Sequence, residues 1–320
     1  MSHAQLDEVI SDIARTFGAW DDDTPLDVMR KGWDGLFSDV EYTVGATAEP
    51  VDADGVTAEW IAAPGARTDR AVVYLHGGGY VMGSVNSHRD MCERLSREAQ
   101  VRVLALDYRL APEHPFPAAL EDSIAAYRWL LKQGIQPKHI AIGGDSAGGG
   151  LTFATLVSLR DAGDPLPACA IPLSPWVEFE GTGNSITSRA DIDPMVRQDL
   201  DLKMGKAYVD GGDLRDPLAA PIYADLHGLP PLFIQVGERE ILFDDSSRMA
   251  EKATQAGVEV TLREWPGMIH VWQIFASRLD EGQAAIEELG AFDDGARRGY
   301  SFSDVWIMHE LFFVNQVWVS

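Results

Sequence analysis

One stretch of sequence decides the fold, Gly143-Gly144-Asp145-Ser146-Ala147-Gly148-Gly149. It follows an apolar segment that predicts a strand, 139–142, and precedes a segment that predicts a helix, 151–157. A serine between glycines at such a turn matches the Gly-x-Ser-x-Gly nucleophile elbow. In that turn Ser146 must take a strained backbone conformation, and a Cβ at Gly144 or Gly148 would clash with neighbouring backbone. Backbone N–H groups at the start of the helix can stabilise an oxyanion. Because an ordinary glycine-rich turn is the alternative, the rest of the chain must supply a base, an acid and an oxyanion hole.

The composition is that of an acidic chain with ample material for a core. Its 320 residues are 46% hydrophobic and carry a formal net charge of -24, and the pI is near 4.5. We expect one large α/β domain with an insertion, or two small domains. The charge argues against nucleic acid and anionic membrane surfaces as partners.

Two features bear on the compartment in which the protein works. The two cysteines, Cys92 and Cys169, are not spaced like metal ligands. We expect buried thiols and not a disulfide framework. Residues 1–20 carry acidic residues where a signal peptide would be basic, and they contain no long apolar run. We therefore expect a cytoplasmic protein.

Residues 1–40 predict two helices. Apolar residues at helical spacing mark the first, and 21–25 predict the start of the second, through an N-cap followed by Pro25 at the first helical position. From its residues alone, this region is interpreted equally well as a pair of packed helices or as a lid over a site.

The remainder of the chain mostly alternates between strand and helix patterns. Continuous apolar runs such as Ala71–Leu75 predict buried strands of a mostly parallel sheet. Further strands are predicted at 42–64 with a turn at 52–55, and at 101–107, 167–174, 232–236 and 258–263; helices are predicted at 117–131, 244–255 and 281–292. The alternation is lost over 180–225, which predicts an insertion with a helix near 196–208.

A glycine run follows the strand that ends at Leu75, His76-Gly77-Gly78-Gly79-Tyr80. Successive glycines at a strand end let several backbone N–H groups point at one spot, which is what an oxyanion hole requires. A flexible glycine loop is the alternative, and the elbow further along the chain favours the oxyanion hole.

The acid and the base are expected after two later strands, within 237–245 and 266–272. Open α/β sheets place function at the carboxyl ends of their strands, and the resulting order of serine, acid and histidine is that of α/β-hydrolases. Imidazole can accept and return the serine proton, and a carboxylate on its other nitrogen fixes its tautomer. His114 lies between two prolines in a rigid loop and is expected to be structural.

Four motifs together resemble the bacterial hormone-sensitive-lipase family (type IV) of carboxylesterases: His76-Gly77-Gly78-Gly79, Tyr108-Arg109-Leu110-Ala111-Pro112-Glu113, Gly144-Asp145-Ser146-Ala147-Gly148-Gly149 and Gly267-x-x-His270. The resemblance covers about residues 45–292. It implies an α/β-hydrolase fold, with a mostly parallel central sheet flanked by helices and a helical cap. It also implies hydrolysis of short-to-medium acyl esters, with a small-molecule ester as partner and without a cofactor or metal.

With this resemblance the chain divides into five segments. They are N-terminal cap helices (1–45), a first part of the hydrolase core (46–178), a cap insertion (179–226), a second part of the core (227–295) and an apolar C-terminal tail (296–320). The tail is expected to pack on the protein's own core or on a partner subunit, as in a homodimer, to be appended non-native sequence, or to touch a membrane. A membrane contact is the least expected of these.

The resemblance assigns roles to individual residues. Ser146 matches the nucleophile and His270 the base. The oxyanion donors of the family correspond to the N–H groups of Gly78, Gly79 and Ala147, and His76 is expected to order the loop.

The acid departs from the family pattern. Glu240-Ile241-Leu242 stands where the family usually has Asp-Pro-Leu, so Glu240 is the predicted third member, with the longer reach of glutamate. Asp244, Asp245 and Glu238 are its rivals, although Asp244 occupies a position typical of a helix N-cap.

Other residues near the motifs have two interpretations. Tyr80, Trp176, Val271 and Trp272 are candidates for the substrate pocket and equally for the core. Asp145 is expected to be a structural acid beside the elbow. A lactone, carbamate or amide substrate stays open because the same triad serves these bonds, and a non-catalytic receptor on the same fold is a remote alternative.

Overall fold

The computed structural model describes residues 2–21, 24–37 and 43–298. The C-terminal tail beyond residue 298 lies outside these residues, as do Asp22, Asp23 and Tyr42, on which parts of the sequence predictions fall. Within the described part of the chain, no helix is both long enough and apolar enough to cross a membrane.

A single eight-stranded sheet forms the centre of the described chain, with strand order β1-β2-β4-β3-β5-β6-β7-β8. In chain order the strands are β1 (Thr47–Asp52), β2 (Thr57–Ala62), β3 (Arg67–Leu75), β4 (Val101–Leu106), β5 (Ile140–Asp145), β6 (Cys169–Leu173), β7 (Leu232–Gly237) and β8 (Val260–Trp265). The β1–β2 and β2–β4 pairs are antiparallel, and every other neighbouring pair is parallel. The sheet is therefore mostly parallel, as predicted.

Helices connect the strands and precede the first of them. In chain order they are α1 (His3–Phe17), α2 (Leu26–Gly35), α3 (Val85–Ala99), α4 (Ala118–Lys132), α5 (Ala147–Ala162), α6 (Ser185–Ser188), α7 (Gln198–Val209), α8 (Phe243–Gln255) and α9 (Asp280–Arg298). Short 3-10 helices occupy Pro137–His139, Pro221–Tyr223 and Trp272–Phe275. The helices α6 and α7 lie between β6 and β7, in the region where the sequence loses its alternation.

The central strands are buried along their whole length. Every residue of β5, β6 and β7 is buried, and because successive side chains point to opposite faces, both faces of the sheet are covered. This explains why these strands are continuous apolar runs in the sequence. Both cysteines are buried and neither forms a disulfide within the described residues, as predicted.

Several predicted boundaries differ from those of the structure, and three of them have a local reason. Pro25 is the N-cap of α2 and not its first helical residue, because its extended backbone offers its carbonyl to the N–H groups of Val28 and Met29. The N-cap of α8 is Leu242, so Asp244 lies inside the first turn. The strand predicted at 258–263 begins at Val260, because the N–H of Val258 still bonds to a carbonyl of the preceding helix.

Candidate active site

Ser146 forms the turn between β5 and α5. Its backbone has φ 53° and ψ -119°, a strained conformation for a residue with a side chain. The turn is held by neighbouring backbone: the N–H of Ser146 donates to the carbonyl of Leu173 at 2.8 Å, and its carbonyl accepts from the N–H of Trp176 at 2.9 Å. Strain of this kind persists only where surrounding structure imposes it, and it is typical of functional sites.

The glycines around Ser146 allow β3 to approach the elbow closely. A Cβ at Gly148 would lie 1.9 Å from the carbonyl oxygen of Leu75, and one at Gly144 would lie 2.3 Å from the same atom. Real side chains never approach backbone so closely, so the predicted clash is confirmed at both positions. The end of β3, where the glycine run begins, is thereby brought against the start of α5.

The glycine run makes a tight turn beside the elbow. Gly78 and Gly79 have φ 115° and 63°, and the carbonyl of Gly78 accepts from the N–H groups of Val81 and Met82. At Gly79 a Cβ would lie 2.2 Å from the sulfur of Met204, so the absence of a side chain makes room for a residue of α7. The run is thus a fixed turn that contacts the segment between β6 and β7.

Asp145 ties this turn to the elbow. Its buried carboxylate accepts from the N–H of Gly77 at 3.0 Å and from the hydroxyl of Tyr74 at 2.9 Å, and it lies 3.3 Å from Nε2 of His88. Burial opposes its charge, but the interactions with His88 and Tyr74 prevail and lower the pKa of Asp145. The carboxylate stays charged and positions the Gly77 backbone next to Ser146.

His76 is also part of the support for the turn. Its Nδ1 lies 2.8 Å from the carbonyl of Gly77 and must donate to it, and its ring stacks on Tyr108 with centroids 4.2 Å apart. The hydroxyl of Tyr108 in turn donates to the carbonyl of His76. Burial lowers the pKa of His76 to about 4, so the ring is neutral at neutral pH.

His270 and Glu240 form a buried pair at the ends of β8 and β7. Nδ1 of His270 lies 2.8 Å from Oε2 of Glu240. The other carboxylate oxygen accepts from the hydroxyl of Ser174 at 2.7 Å and from the N–H of Gly237 at 2.5 Å. The carboxylate therefore fixes the imidazole so that Nε2 is left for another partner.

The environment of the pair sets its charge state. Burial disfavours a charged imidazole, but the charge of Glu240 and its hydrogen bond raise the pKa of His270 above its ordinary value. Burial also raises the pKa of Glu240, while the hydrogen bonds from His270, Ser174 and Gly237 act to keep it ionised. The ionised carboxylate of Glu240 fits these contacts, because each of its three partners can donate a hydrogen bond to one of its oxygens.

The rival acids are engaged elsewhere. Asp245 accepts from the N–H of Val177 at 3.0 Å, and Asp244 accepts from the N–H of Ser185 at 3.1 Å. Glu238 accepts from the N–H of Gly267.

Ser146, His270 and the glycine turn line one cavity of about 50 Å³. Its other walls come from α1, α2, the loop after β3, the end of β5, the segment between β6 and β7 and the loop after β8. They include Phe17, Trp33, Met82, Asp145, Trp176, Met195, Val196, Arg197, Leu200, Asp201, Met204 and Val271. A second, larger cavity of about 260 Å³ adjoins it and shares Phe17, Arg197, Leu200 and Met204.

Of the four residues predicted for the substrate pocket, two line the cavity and two do not. Trp176 and Val271 line the cavity. Tyr80 does not; it is buried and stacks on Tyr208 with centroids 3.7 Å apart. Trp272 is also fully buried, and its indole N–H donates to the carbonyl of Glu281. The structure therefore places Tyr80 and Trp272 in the core.

Sequence reasoning missed Ser174, Asp201 and Met204. Ser174 directly follows β6, so its position at a carboxyl strand end is a signal that could have identified it. Asp201 and Met204 lie on α7, where no motif distinguishes them. In the described part of the chain, no group of three or more His, Cys, Asp or Glu side chains could hold a metal ion.

Known proteins resemble this chain over most of its length. A family model described as alpha/beta hydrolase fold matches residues 72–274. The acetyl-hydrolase of Streptomyces hygroscopicus is 48% identical over 236 residues, which cover 74% of this chain and 79% of that protein. The crystal structure of an esterase from the bacterial hormone-sensitive lipase family has a TM-score of 0.89 at 47% identity, covering 91% of this chain and 97% of that one. The crystal structure of EstE5 soaked with p-nitrophenyl butyrate has a TM-score of 0.87 at 48% identity, covering 92% and 99% of the two chains.

The fold, the strained serine and these matches define a carboxylic ester hydrolase of the α/β-hydrolase class. Within that class the chain belongs to the bacterial hormone-sensitive-lipase family, as its motifs predicted.

Proposed function

We propose that the protein is a serine carboxylesterase that hydrolyses short-to-medium acyl esters through Ser146, His270 and Glu240. One observation carries the proposal: the strained serine, the histidine of the buried pair and the glycine turn of Gly78 and Gly79 line a single cavity. That combination supplies a nucleophile, an oriented base and oxyanion donors to one bound carbonyl.

The first half of the reaction acylates the serine. His270 takes the hydroxyl proton on Nε2 as Ser146 attacks the ester carbonyl, and Glu240 stabilises the imidazolium that forms. The backbone N–H groups of Gly78, Gly79 and Ala147 bind the oxyanion. Each such donor lowers the barrier by about 3–4 kcal/mol, because it is fixed in place before charge develops. The first half ends when the tetrahedral intermediate collapses and His270 gives its proton to the leaving alcohol, so that the acyl group stays on Ser146.

The second half releases the acid: the neutral imidazole activates a water molecule that attacks the acyl group on Ser146. The tetrahedral intermediate uses the same oxyanion donors and collapses to free the serine. The proposed steps need no cofactor, because Ser146 carries the acyl group and His270 transfers every proton.

The cavities support the proposed range of acyl chains. The space at Ser146 is about 50 Å³, which suits a short acyl group, and the adjoining space of about 260 Å³ offers room for a longer one. We also propose that residues 1–45 and 179–226 act as a cap, because α1, α2 and α7 supply walls of both cavities.

Substitution of the serine tests the proposal. We expect Ser146→Ala to lower kcat for p-nitrophenyl butyrate by about 10,000-fold or more, because the nucleophile is lost while the fold is kept. Ser158→Ala is the matched control, since Ser158 lies on α5 outside the cavity. Turnover by Ser146→Ala within about tenfold of wild type would sink the proposal.

A further inference from the structure

Asp201 places a carboxyl group in the wall of the catalytic cavity. It lies on α7 and lines the same cavity as Ser146 and His270. Its Oδ2 atom is shielded from solvent and has no hydrogen-bond partner within the part of the chain that the structure describes. Leaving a buried carboxyl oxygen unpaired is costly, so this atom calls for an explanation.

The neighbouring acids show that Asp201 is unusual. Asp193 accepts from the N–H groups of Met195, Val196 and Ile241. On the same helix, Asp199 pairs with Arg197.

A further neighbour, Asp245, accepts from the N–H of Val177. Each of these carboxylates thus has a structural role, whereas Asp201 lines the cavity and its Oδ2 atom has no partner among the described residues.

The surroundings of Asp201 favour a neutral carboxyl group. Burial is the largest influence and raises its pKa to about 8; His270 opposes this, and the negative charges of Asp193, Asp245 and Asp199 reinforce it. The guanidinium of Arg197 also lines the cavity but is paired with Asp199. At neutral pH Asp201 can therefore donate a hydrogen bond as well as accept one.

We propose that Asp201 determines specificity by hydrogen-bonding a hydroxyl group carried by the ester substrate. The proposal rests on the proposed esterase function and names the class of ester that the site prefers. Because the cavity at Ser146 is only about 50 Å³, the hydroxyl must lie within a few bonds of the ester, in a short acyl chain or a short alcohol. A site built to bond a hydroxyl rejects the analogue that lacks it, because its own polar group is then left unpaired.

Matched pairs of esters test this inference, each pair differing by a hydroxyl in place of a methyl group. In the acyl chain the pair is p-nitrophenyl 3-hydroxybutyrate and p-nitrophenyl 3-methylbutyrate; in the alcohol it is 2-hydroxyethyl butyrate and propyl butyrate. We expect wild type to favour the hydroxylated ester by about tenfold or more in kcat/KM in at least one pair. Because the ratio compares esters with one enzyme, changes in the chemical step shared by both esters cancel.

Three variants assign the preference to Asp201. Asp201→Leu should abolish it, and Asp201→Asn should keep it within about threefold, because an amide also donates and accepts. Asp210→Asn is the matched control, since it removes an exposed carboxylate at the end of the same helix, outside both cavities, and should keep the preference. Thermal unfolding of Asp201→Leu should occur at or above the wild-type temperature, because the buried Oδ2 atom has no partner among the described residues to leave behind.

Several results would overturn the inference. They are a wild type without preference in either pair, an Asp201→Leu variant that keeps the preference, and an Asp210→Asn variant that loses the preference to the same extent as Asp201→Leu. A clear fall in the unfolding temperature of Asp201→Leu would also count against it, because it would show that the carboxyl is already paired. Failure of wild type to hydrolyse even p-nitrophenyl butyrate would instead reject the esterase function itself.

Discussion

At the scale of single residues, Glu240 has the most exacting position. One carboxylate oxygen contacts Nδ1 of His270, and the other accepts from Ser174 and Gly237. Both oxygens are thus committed, which leaves the imidazole one orientation and one tautomer. The sequence predicted Glu240 as the acid, with three nearby carboxylates as rivals, and the contact with His270 favours Glu240 over them.

Glu240→Gln should lower kcat by about 1,000- to 10,000-fold with little change in KM. An amide can turn its NH₂ group toward Nδ1, which selects the wrong tautomer and leaves Nε2 unable to accept the serine proton. Steady-state kinetics with p-nitrophenyl butyrate measures this. Glu238→Gln is the control and should remain near wild type, because Glu238 bonds to the Gly267 backbone instead. A Glu240→Gln enzyme with near-full turnover would show that another group orients the histidine.

The pH profile reports the ionisation of His270. Only the neutral imidazole can act as base, and Glu240 raises the pKa of His270 above 6.5. Activity should therefore rise with pH, and the midpoint of that rise in kcat/KM should lie above 6.5. In Glu240→Gln the charge that favours the imidazolium is gone, so the midpoint should move to lower pH. A profile whose midpoint lies below 6.5 in wild type, or is unmoved in the variant, would contradict this assignment.

At the scale of secondary-structure elements, α7 does most to shape the substrate site. It brings Leu200, Asp201 and Met204 to the cavity, and these recur at the three- and four-residue spacing of one helical face. The sulfur of Met204 packs against Gly79, and Leu200 and Met204 line both cavities. Met204 therefore stands between the space at Ser146 and the larger space beside it.

Met204→Ala should shift the enzyme toward longer acyl chains. Removing the side chain joins the two cavities, so kcat/KM for p-nitrophenyl octanoate relative to the butyrate should rise by about tenfold. A series of p-nitrophenyl esters measures the shift. Lys206→Ala, on the exposed side of the same helix, should leave the ratio unchanged. An unchanged ratio in Met204→Ala would mean that the larger cavity does not receive the acyl chain.

Sequence could predict the elements that obey local rules. The strands β5 and β7 and the second half of β3, Ala71–Leu75, are buried on both faces and therefore appear as continuous apolar runs. Their boundaries were less predictable where tertiary contacts decide them, as at Val258, whose N–H stays bonded to the preceding helix. The cavity-facing residues of α7 carry no local signature, because their role depends on how this helix docks over the serine.

At the scale of the whole molecule, the parallel sheet explains how distant segments form one site. Ser146, Glu240 and the histidine loop follow β5, β7 and β8, and the glycine turn follows β3, so all lie at the carboxyl edge. The sequence motifs predicted that these segments meet, because each motif directly follows a predicted strand and the carboxyl ends of parallel strands share one edge of the sheet. They could not predict that Tyr80 would turn into the core, since its direction depends on stacking with Tyr208.

The most direct test of the central claim is the identity of the acylated residue. Wild-type enzyme mixed with excess p-nitrophenyl butyrate and quenched with acid within the first turnover should carry one butyryl group. Mass spectrometry of its peptides should locate that group on Ser146, and Ser146→Ala treated in the same way should carry none. A butyryl group on any other residue, or an Ser146→Ala enzyme that still releases p-nitrophenol at the wild-type rate, would contradict the account.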